Sequence, residues 1–212
     1  MNKIQLIELV NDLVKQPHES EWVEFKLNFH SEQEIGERIS ALSNGASIQN
    51  QGFGYLVFGI EDKTHKIVGT TFKPRKHLKG NEELEHWLTQ RLDPRIDFRI
   101  YEFPYDENRS LAVFVIPAAQ NKPVDFFHHA YIRIGSITRK LADFPEKEAK
   151  IWRKQNRPFE LEIAKDNLQA ADVIRLLSTE TYFDLLKIPY PSNQAGVLER
   201  FIDENLVVKS QG

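Results

Sequence analysis

The order of hydrophobic and polar positions predicts an α+β fold, with a mixed, mostly antiparallel sheet and flanking helices. Apolar residues recur at helical spacing over residues 3–15, and Gln16-Pro17 ends that helix. Residues 22–26 alternate between apolar and polar types, which is typical of a half-buried strand. Ser31 is then a favourable N-cap for an amphipathic helix that continues to Ile48.

The middle of the chain is predicted to supply the rest of the sheet. Residues 53–60 form a short apolar run that indicates a strand buried on both faces, and residues 67–72 are predicted to pair with it across a turn at 62–65. The remaining predicted elements are a helix at 82–92, a β-hairpin of residues 97–103 and 111–117, strand segments at 126–127 and 130–134, and a helix at 145–155.

A shift in composition at Asn156-Arg157-Pro158 predicts two domains, residues 1–157 and residues 158–212. The second is predicted to contain three short helices, and its ending LVVK fits one strand of a winged-helix-like unit. Residues 1–157 include 23 basic and 22 acidic residues, whereas residues 158–212 include 5 and 9. The acidity of the second part argues against direct contact with duplex nucleic acid.

Composition and motifs exclude several classes of protein. The chain has no Cys, which excludes disulfide scaffolds, thiolate zinc sites and cysteine nucleophiles. Glu8 and Asp12 interrupt the apolar pattern of the N-terminus, unlike a signal peptide, and no apolar run reaches 18 residues. These features predict a cytoplasmic protein without a membrane partner. There is no G-x-x-x-x-G-K-[ST] loop, so ATP is not expected as a cofactor.

One short segment has the residue types for phosphodiester hydrolysis. Glu24 and Lys26 share one face of the predicted strand, so the carboxylate could hold a divalent cation while the lysine orients water or neutralises charge. A bend after His18 would bring Glu19 to the same place, and Asp62 follows the buried strand as a third oxygen ligand. The alternative is an ordinary surface pair and an ordinary turn, which spacing alone does not exclude.

Two basic segments are candidates for binding a phosphate backbone. The second of them includes a Gly-Ser turn whose backbone amides can also meet a phosphate. The segments contain Arg75, Lys76 and Lys79, and Arg133, Arg139 and Lys140. A solvated basic face is the alternative interpretation for each. His128-His129 would suit zinc, but neighbouring strand residues point to opposite faces, which disfavours a shared ion.

Four blocks in order resemble the Schlafen AlbA-type domain family. They are ESEWVEFK, the helix ending ISALSNGA, the strand segment GYLVFGIEDKTHKIVGTTF, and YIRIGSITR, and together they extend from about Glu19 to Arg139. The family pattern has an E-S-x-x-x-E-F-K opening, a helix with an Ala-x-x-Asn ending, a G-x-L-x-x-G-I-x-D strand and a Y-x-R-x-G-S-x-T-R segment. One departure is the region before the sheet, where the family often has Gly-Gly and this chain has residues 47–52 instead.

The resemblance implies a divalent-metal-dependent endoribonuclease that acts on structured RNA such as tRNA, in growth arrest or phage defence. It implies Mg²⁺ or Mn²⁺ ligation by Glu19, Glu24 and Asp62, with Lys26 assisting catalysis. RNA is expected as the partner in preference to DNA. Animal nucleases of the family pair two such lobes in one chain, so a homodimer would supply the second lobe here. The alternative that the resemblance also implies is a non-catalytic nucleic-acid-binding module of a transcriptional regulator.

Overall fold

The computed structural model describes residues 1–15, 20–155 and 165–209, apart from the side chains of residues 154 and 155. The chain divides into two compact units, Met1–Asn156 and Arg157–Gly212. The predicted boundary tripeptide Asn156-Arg157-Pro158 lies outside the described residues.

The first unit has the α+β composition that the sequence predicts. Its helices are α1 (Lys3–Val14), α2 (Glu32–Ile48), α3 (Leu84–Thr89) and α4 (Pro145–Gln155). Its strands are β1 (Val23–Lys26), β2 (Phe53–Phe58), β3 (Leu78–Lys79), β4 (Glu82–Glu83), β5 (Leu92–Asp93), β6 (Arg99–Pro104), β7 (Ser110–Pro117), β8 (Asp125–Phe126), β9 (His129–Ile134) and β10 (Ile137–Lys140). The predicted helix at 82–92 is shorter than expected, because β4 and β5 occupy its two ends.

The strands form two four-stranded sheets and one short ribbon. The first sheet has the order β1-β2-β7-β6, in which only β1 and β2 are parallel. The second sheet has the order β10-β9-β8-β5 and is antiparallel throughout. The ribbon pairs β3 with β4. The fold class is therefore α+β with mixed, mostly antiparallel sheets, as predicted.

The first sheet is covered on one side by α1. Val23 and Phe25 pack into a buried cluster with Leu6 and Val10 of α1. Because side chains alternate along a strand, Glu24 and Lys26 point to the opposite side, toward α2. The alternation that the sequence shows in β1 thus separates an apolar face from a charged one.

Helix α2 is buried on nearly all sides, whereas the sequence predicts an amphipathic helix. Residues 39–47 are all buried. Small residues permit this close packing: a Cβ on Gly45 would overlap the carbonyl oxygen of Glu21, and one on Gly54 of β2 would lie 2.7 Å from the Leu42 carbonyl oxygen. The sequence shows the apolar stripe of α2 directly. It does not show that the polar residues of α2 are also buried, because the strands that cover them are distant in sequence.

Polar side chains attach α2 to the second sheet. The Nδ2 group of buried Asn44 donates to the carbonyl oxygens of Val124 and Tyr131, at 3.0 and 2.9 Å, and its Oδ1 accepts from the Val124 amide at 2.8 Å. The Ser40 hydroxyl, one helical turn away, donates to the same Val124 carbonyl and accepts from the Tyr131 amide. These bonds satisfy backbone groups that burial would otherwise leave without partners.

The predicted strand at 67–72 is not formed. Only an isolated bridge joins Ile60 to Ile67. Gly59 has φ of +102°, and its carbonyl oxygen accepts from the amides of both Val68 and Gly69. The Thr70 amide then donates to the Ser110 carbonyl, so the chain leaves the edge of β2 and turns toward β7.

The second unit is described over residues 165–209 and contains α5 (Ala170–Leu176), α6 (Thr179–Leu186) and α7 (Gln194–Asp203). Its core consists of Val173, Phe183, Val197 and Phe201. The three predicted helices are confirmed. The predicted strand at LVVK is wrong, since no strand forms in residues 165–209 and the chain after α7 follows irregular turns.

None of the helices in the described part of the chain combines the length and apolarity needed to cross a bilayer.

Candidate functional site

The candidate site is centred on Glu24 in β1. Its side chain is 2% exposed and points toward α2. The Nζ atom of Lys26 lies 2.9 Å from Glu24 Oε1, so these two side chains share one face, as the alternation predicts. Burial of a carboxylate is costly unless it is paired with cations.

Two arginines complete the pairing of Glu24. Arg38 of α2 places Nε 2.7 Å from Glu24 Oε1, and its Nη1 lies 2.6 Å from Glu34 Oε2. Arg133 of β9 donates through Nη1 to Glu24 Oε2 and is completely buried. Each carboxylate oxygen therefore accepts from a cationic group. The donors come from the first sheet, from α2 and from the second sheet, so this one carboxylate links three layers of the unit.

The electrostatics favour the ionised form of Glu24. Burial acts to raise the pKa of this carboxyl, but the charges of Arg133, Arg38 and Lys26 outweigh it and hold the pKa below its usual value. Arg38 shows the reciprocal effect: burial acts to lower its pKa, but Glu24 and Glu34 raise the pKa above its usual value. The group is thus a buried ion cluster in which Glu24 is held in its ionised form.

Of the three metal ligands that the sequence resemblance implies, the structure describes Glu24 and Asp62. Both oxygens of Glu24 are engaged by cations, which a divalent ion would have to displace against like-charge repulsion. Asp62 is exposed in a turn that packs on the α1 side of the sheet, through His65 against Phe25. Glu19 lies outside the described residues. Among those described, no three His, Asp or Glu side chains form a group suited to a metal ion.

A polar cleft of about 240 Å³ opens beside Glu24. It is lined by Glu24, Lys26, Glu34, Glu37, Arg38 and residues 136–138 of the β9–β10 hairpin. Arg133 was predicted to face a nucleic acid along with Arg139 and Lys140. It has no exposed surface and contacts Glu24 instead, because alternation in β9 turns it toward α2. Arg133 therefore binds Glu24 from the interior of the unit and does not line the cleft.

The other predicted cations fall into two groups. Arg75, Lys76, Arg139 and Lys140 are exposed, and no described carboxylate lies within 4.0 Å of their charged groups. Lys79 differs, since its Nζ lies 2.9 Å from Glu32 Oε2. We call the four unpaired residues the basic surface.

Residues adjacent in sequence to each half of the basic surface contact the first turns of α2. On one side, His77 and Lys79 contact Glu32 at the start of the helix, at 2.8 and 2.9 Å. On the other side, the β9–β10 hairpin lines the cleft together with Glu34 and Glu37. Residues of both basic segments therefore pack against the start of α2.

Glu32, the first residue of α2, is held in its ionised form by its neighbours. Burial acts to raise the pKa of Glu32, but hydrogen bonds from His77, Lys79 and the residue's own backbone amide lower the pKa to about 2. Since this folded-state pKa is below the unfolded value of 4.5, the interaction stabilises the fold above about pH 4.5, and this contribution is lost as the pH falls toward 2.

We expect Glu32→Gln to reduce the free energy of unfolding at pH 6 by about 1–2 kcal/mol, allowing for solvent screening at half-exposed Lys79. The decline in stability of the wild type between pH 4.5 and 2.5 should be correspondingly smaller in the variant. Urea unfolding at several pH values measures both. Glu107→Gln, at an exposed position in the β6–β7 turn, is the matched control and should behave as wild type.

Sequence reasoning identified Glu24 and Lys26 but missed Arg38 as their partner. A local signal for it existed, because Glu34 and Arg38 have the i, i+4 spacing of a helical ion pair. The partnership of Glu24 with Arg133 had no local signal, since 109 positions separate the two residues.

No curated protein has significant sequence similarity to this chain. The crystal structure of the DIP2311 protein from Corynebacterium diphtheriae is similar with 19% sequence identity and a TM-score of 0.40, covering 65% of this chain. This chain spans 31% of the length of that protein.

The sequence profile of the family described as Schlafen, AlbA_2 matches residues 19–142. The match covers more than half of the chain, including β1, α2, both four-stranded sheets and every residue of the cation cluster around Glu24. The chain belongs to the Schlafen AlbA_2 family.

Proposed function

We propose that the first unit binds nucleic acid, RNA in preference to DNA, through the basic surface. The observation that carries this proposal is the presence of four exposed cations without a described acidic partner, on two segments whose neighbouring residues contact the first turns of α2. Phosphate contacts from such cations supply most of the affinity for a nucleic acid. Membership in the Schlafen AlbA_2 family also favours an interaction with nucleic acid.

The β9–β10 hairpin is the main binding element. Arg139 and Lys140 project from β10, the outer strand of the second sheet. Gly135 in the exposed hairpin turn has φ of +59°, which leaves the backbone free of a Cβ where a phosphate would approach. Ser136 and Thr138 face the cleft and offer hydroxyl groups beside the cations.

Glu24 is a positioning residue in this proposal. Its carboxylate holds Arg133 of β9 against β1 and α2, and thereby fixes the hairpin that carries Arg139 and Lys140. Because the charge on Glu24 is already balanced by Lys26 and the two arginines, binding of nucleic acid does not require a metal ion at this carboxylate.

Charge reversal of Arg139 and Lys140 together is expected to weaken tRNA binding by at least about tenfold at moderate salt. The slope of log K against log salt should become shallower by about one for each phosphate that the variant no longer neutralises. Fluorescence anisotropy with labelled tRNA, from about 50 to 200 mM KCl in the presence of EDTA, measures affinity and slope together. Duplex DNA of similar length tests the preference for RNA.

The matched control is charge reversal of Lys63 and Lys66, which are exposed in the turn on the α1 side and change the net charge equally. It should retain affinity to within about twofold. Equal losses in the two variants would reduce the effect to net charge and contradict the proposed surface. If tRNA is cut only with Mg²⁺ or Mn²⁺, and Asp62→Asn at its exposed position abolishes cutting, the metal-dependent endoribonuclease implied by the resemblance is supported instead.

A further inference from the structure

The turn between β8 and β9 has an unfavourable backbone for its residues. Phe126 pairs with His129, so Phe127 and His128 are the two central residues of a tight hairpin. Their φ values are +49° and +63°. Two-residue hairpin turns with positive φ at both positions normally contain Asn-Gly or Asp-Gly, and bulky residues there are strained. Such strain at two consecutive positions points to a role outside the turn itself.

The strained turn presents an aromatic ring to solvent. Phe127 is 42% exposed, while its ring lies edge-on to Phe126 and Trp87, with centroids 4.8 and 5.9 Å away. The guanidinium of Arg91 lies 4.4 Å from the Trp87 ring centroid and 5.8 Å from that of Phe127. These neighbours restrict the ring without covering it. The result is a rigid aromatic surface with a cation behind it.

This aromatic turn lies at the same end of the second sheet as the basic end of β10. Lys140 pairs with Tyr131, two residues from the start of β9 at His129. His128 and His129 are themselves exposed. A nucleic acid that contacts Lys140 therefore lies at the end of the sheet that carries Phe127.

Two acidic side chains near the turn are paired with cations. Asp93 pairs with Lys122 at 2.9 Å, and Glu82 lies 3.5 Å from Arg91. Asp125 of β8 is half-buried, and the charges of Lys122 and His128 act on it along with those of Asp93 and Glu148. The surface beside Phe127 is therefore compatible with a polyanion.

We propose that Phe127 is a stacking platform for an unpaired base, so that the domain binds single-stranded segments of RNA, such as loops and ends, in preference to continuous duplex. The proposal rests on the nucleic-acid-binding function of the basic surface and names the part of the ligand that this surface selects. Aromatic rings bind bases of single strands because every base has a π-face, whereas bases in a duplex are already stacked.

Phe127→Asn provides the test, because Asn tolerates positive φ and removes the ring. We expect this variant to bind a labelled single-stranded RNA of about twelve nucleotides at least about fivefold more weakly than the wild type. Its affinity for the corresponding RNA duplex should change by less than about twofold. Phe127→Trp should retain the affinity for the single strand. The thermal unfolding midpoint of Phe127→Asn should fall by only a few degrees, since relief of the backbone strain offsets the lost contacts with Phe126 and Trp87.

The control is Phe53→Asn, which removes a phenylalanine of similar exposure, 47%, at the start of β2 in the first sheet. It should leave single-strand binding unchanged. Unchanged binding by Phe127→Asn, or an equal loss of affinity for single strand and duplex, overturns the stacking platform. The basic surface still stands in that case if charge reversal at Arg139 and Lys140 weakens the binding of both ligands. A wild-type protein that binds neither ligand overturns the proposed function and the platform together.

Discussion

Replacement of Glu24 by Gln is expected to lower the free energy of unfolding by about 3–5 kcal/mol. The substitution preserves shape but removes the charge that Arg133, Arg38 and Lys26 face. Arg133 is completely buried, so the substitution removes a negative charge from beside a poorly solvated guanidinium. Thermal unfolding followed by circular dichroism should show a midpoint lower by about 10 °C.

Asp12→Asn is the control that shows how much of the expected loss of stability depends on burial of the ion pair. Asp12 and Lys15 form an ion pair at 2.9 Å, like that of Glu24 and Lys26, but both side chains are 74% exposed. Its removal should cost less than about 0.5 kcal/mol. A loss below about 1 kcal/mol for Glu24→Gln would contradict the cluster as described. So would a wild-type midpoint that rises with Mn²⁺ and does not rise in the variant, because that outcome makes Glu24 a metal ligand.

The ionised state of Glu24 has a consequence for pH. Because neighbouring cations lower its folded-state pKa, its contribution to stability is present above the unfolded value of 4.5 and is lost as the pH falls through the folded value. Acid should therefore loosen the contact of β9 with β1 and α2, and with it the hairpin of the basic surface.

The second large effect is expected for Asn44→Ala, at about 2–4 kcal/mol. The substitution leaves the Val124 amide and the Tyr131 carbonyl oxygen without the partners that Asn44 provides in a buried position. The Val124 carbonyl keeps its bond from Ser40, which limits the loss. Urea unfolding of the full chain measures the change.

Ser43→Ala is the matched comparison on the same helix. Its hydroxyl makes a single bond of 2.7 Å, to the Pro117 carbonyl oxygen, so its removal should cost about 1 kcal/mol. If Asn44→Ala costs no more than Ser43→Ala, the assignment of Asn44 as the link between α2 and the second sheet is contradicted. This link gives a physical reason for the Ala-x-x-Asn ending that the family resemblance includes.

Features with a local cause were predictable from the sequence. Ser31 caps α2 by accepting from the Glu34 amide, and α2 ends at Ile48, as the pattern predicts. The alternation in β1 correctly placed Glu24 and Lys26 on one face. Propensity, capping and periodicity act within a few residues, and the sequence displays them directly.

Features that depend on distant partners were not predictable in the same way. Nothing near Arg133 distinguishes a buried ion partner from a surface cation, because its carboxylate is on a strand 109 positions away. The segment 67–72 has strand-like composition, but the bends at Gly59 and Gly69, with φ of +102° and +90°, draw it off the sheet. The strained Phe127-His128 turn is likewise determined by the pairing of β8 with β9 and by its packing on Trp87.

The most direct test of the central claim is to measure tRNA affinity and tRNA integrity with the wild-type protein, once in EDTA and once in Mn²⁺. The ion cluster around Glu24 already balances its charge, so we predict that tRNA binds in EDTA at least as tightly as in Mn²⁺, which screens the phosphates, and that tRNA stays intact in both. Binding that requires Mn²⁺, or cleavage that appears with it and is absent in EDTA, would contradict the assignment of Glu24 as a positioning residue of a metal-independent binding domain.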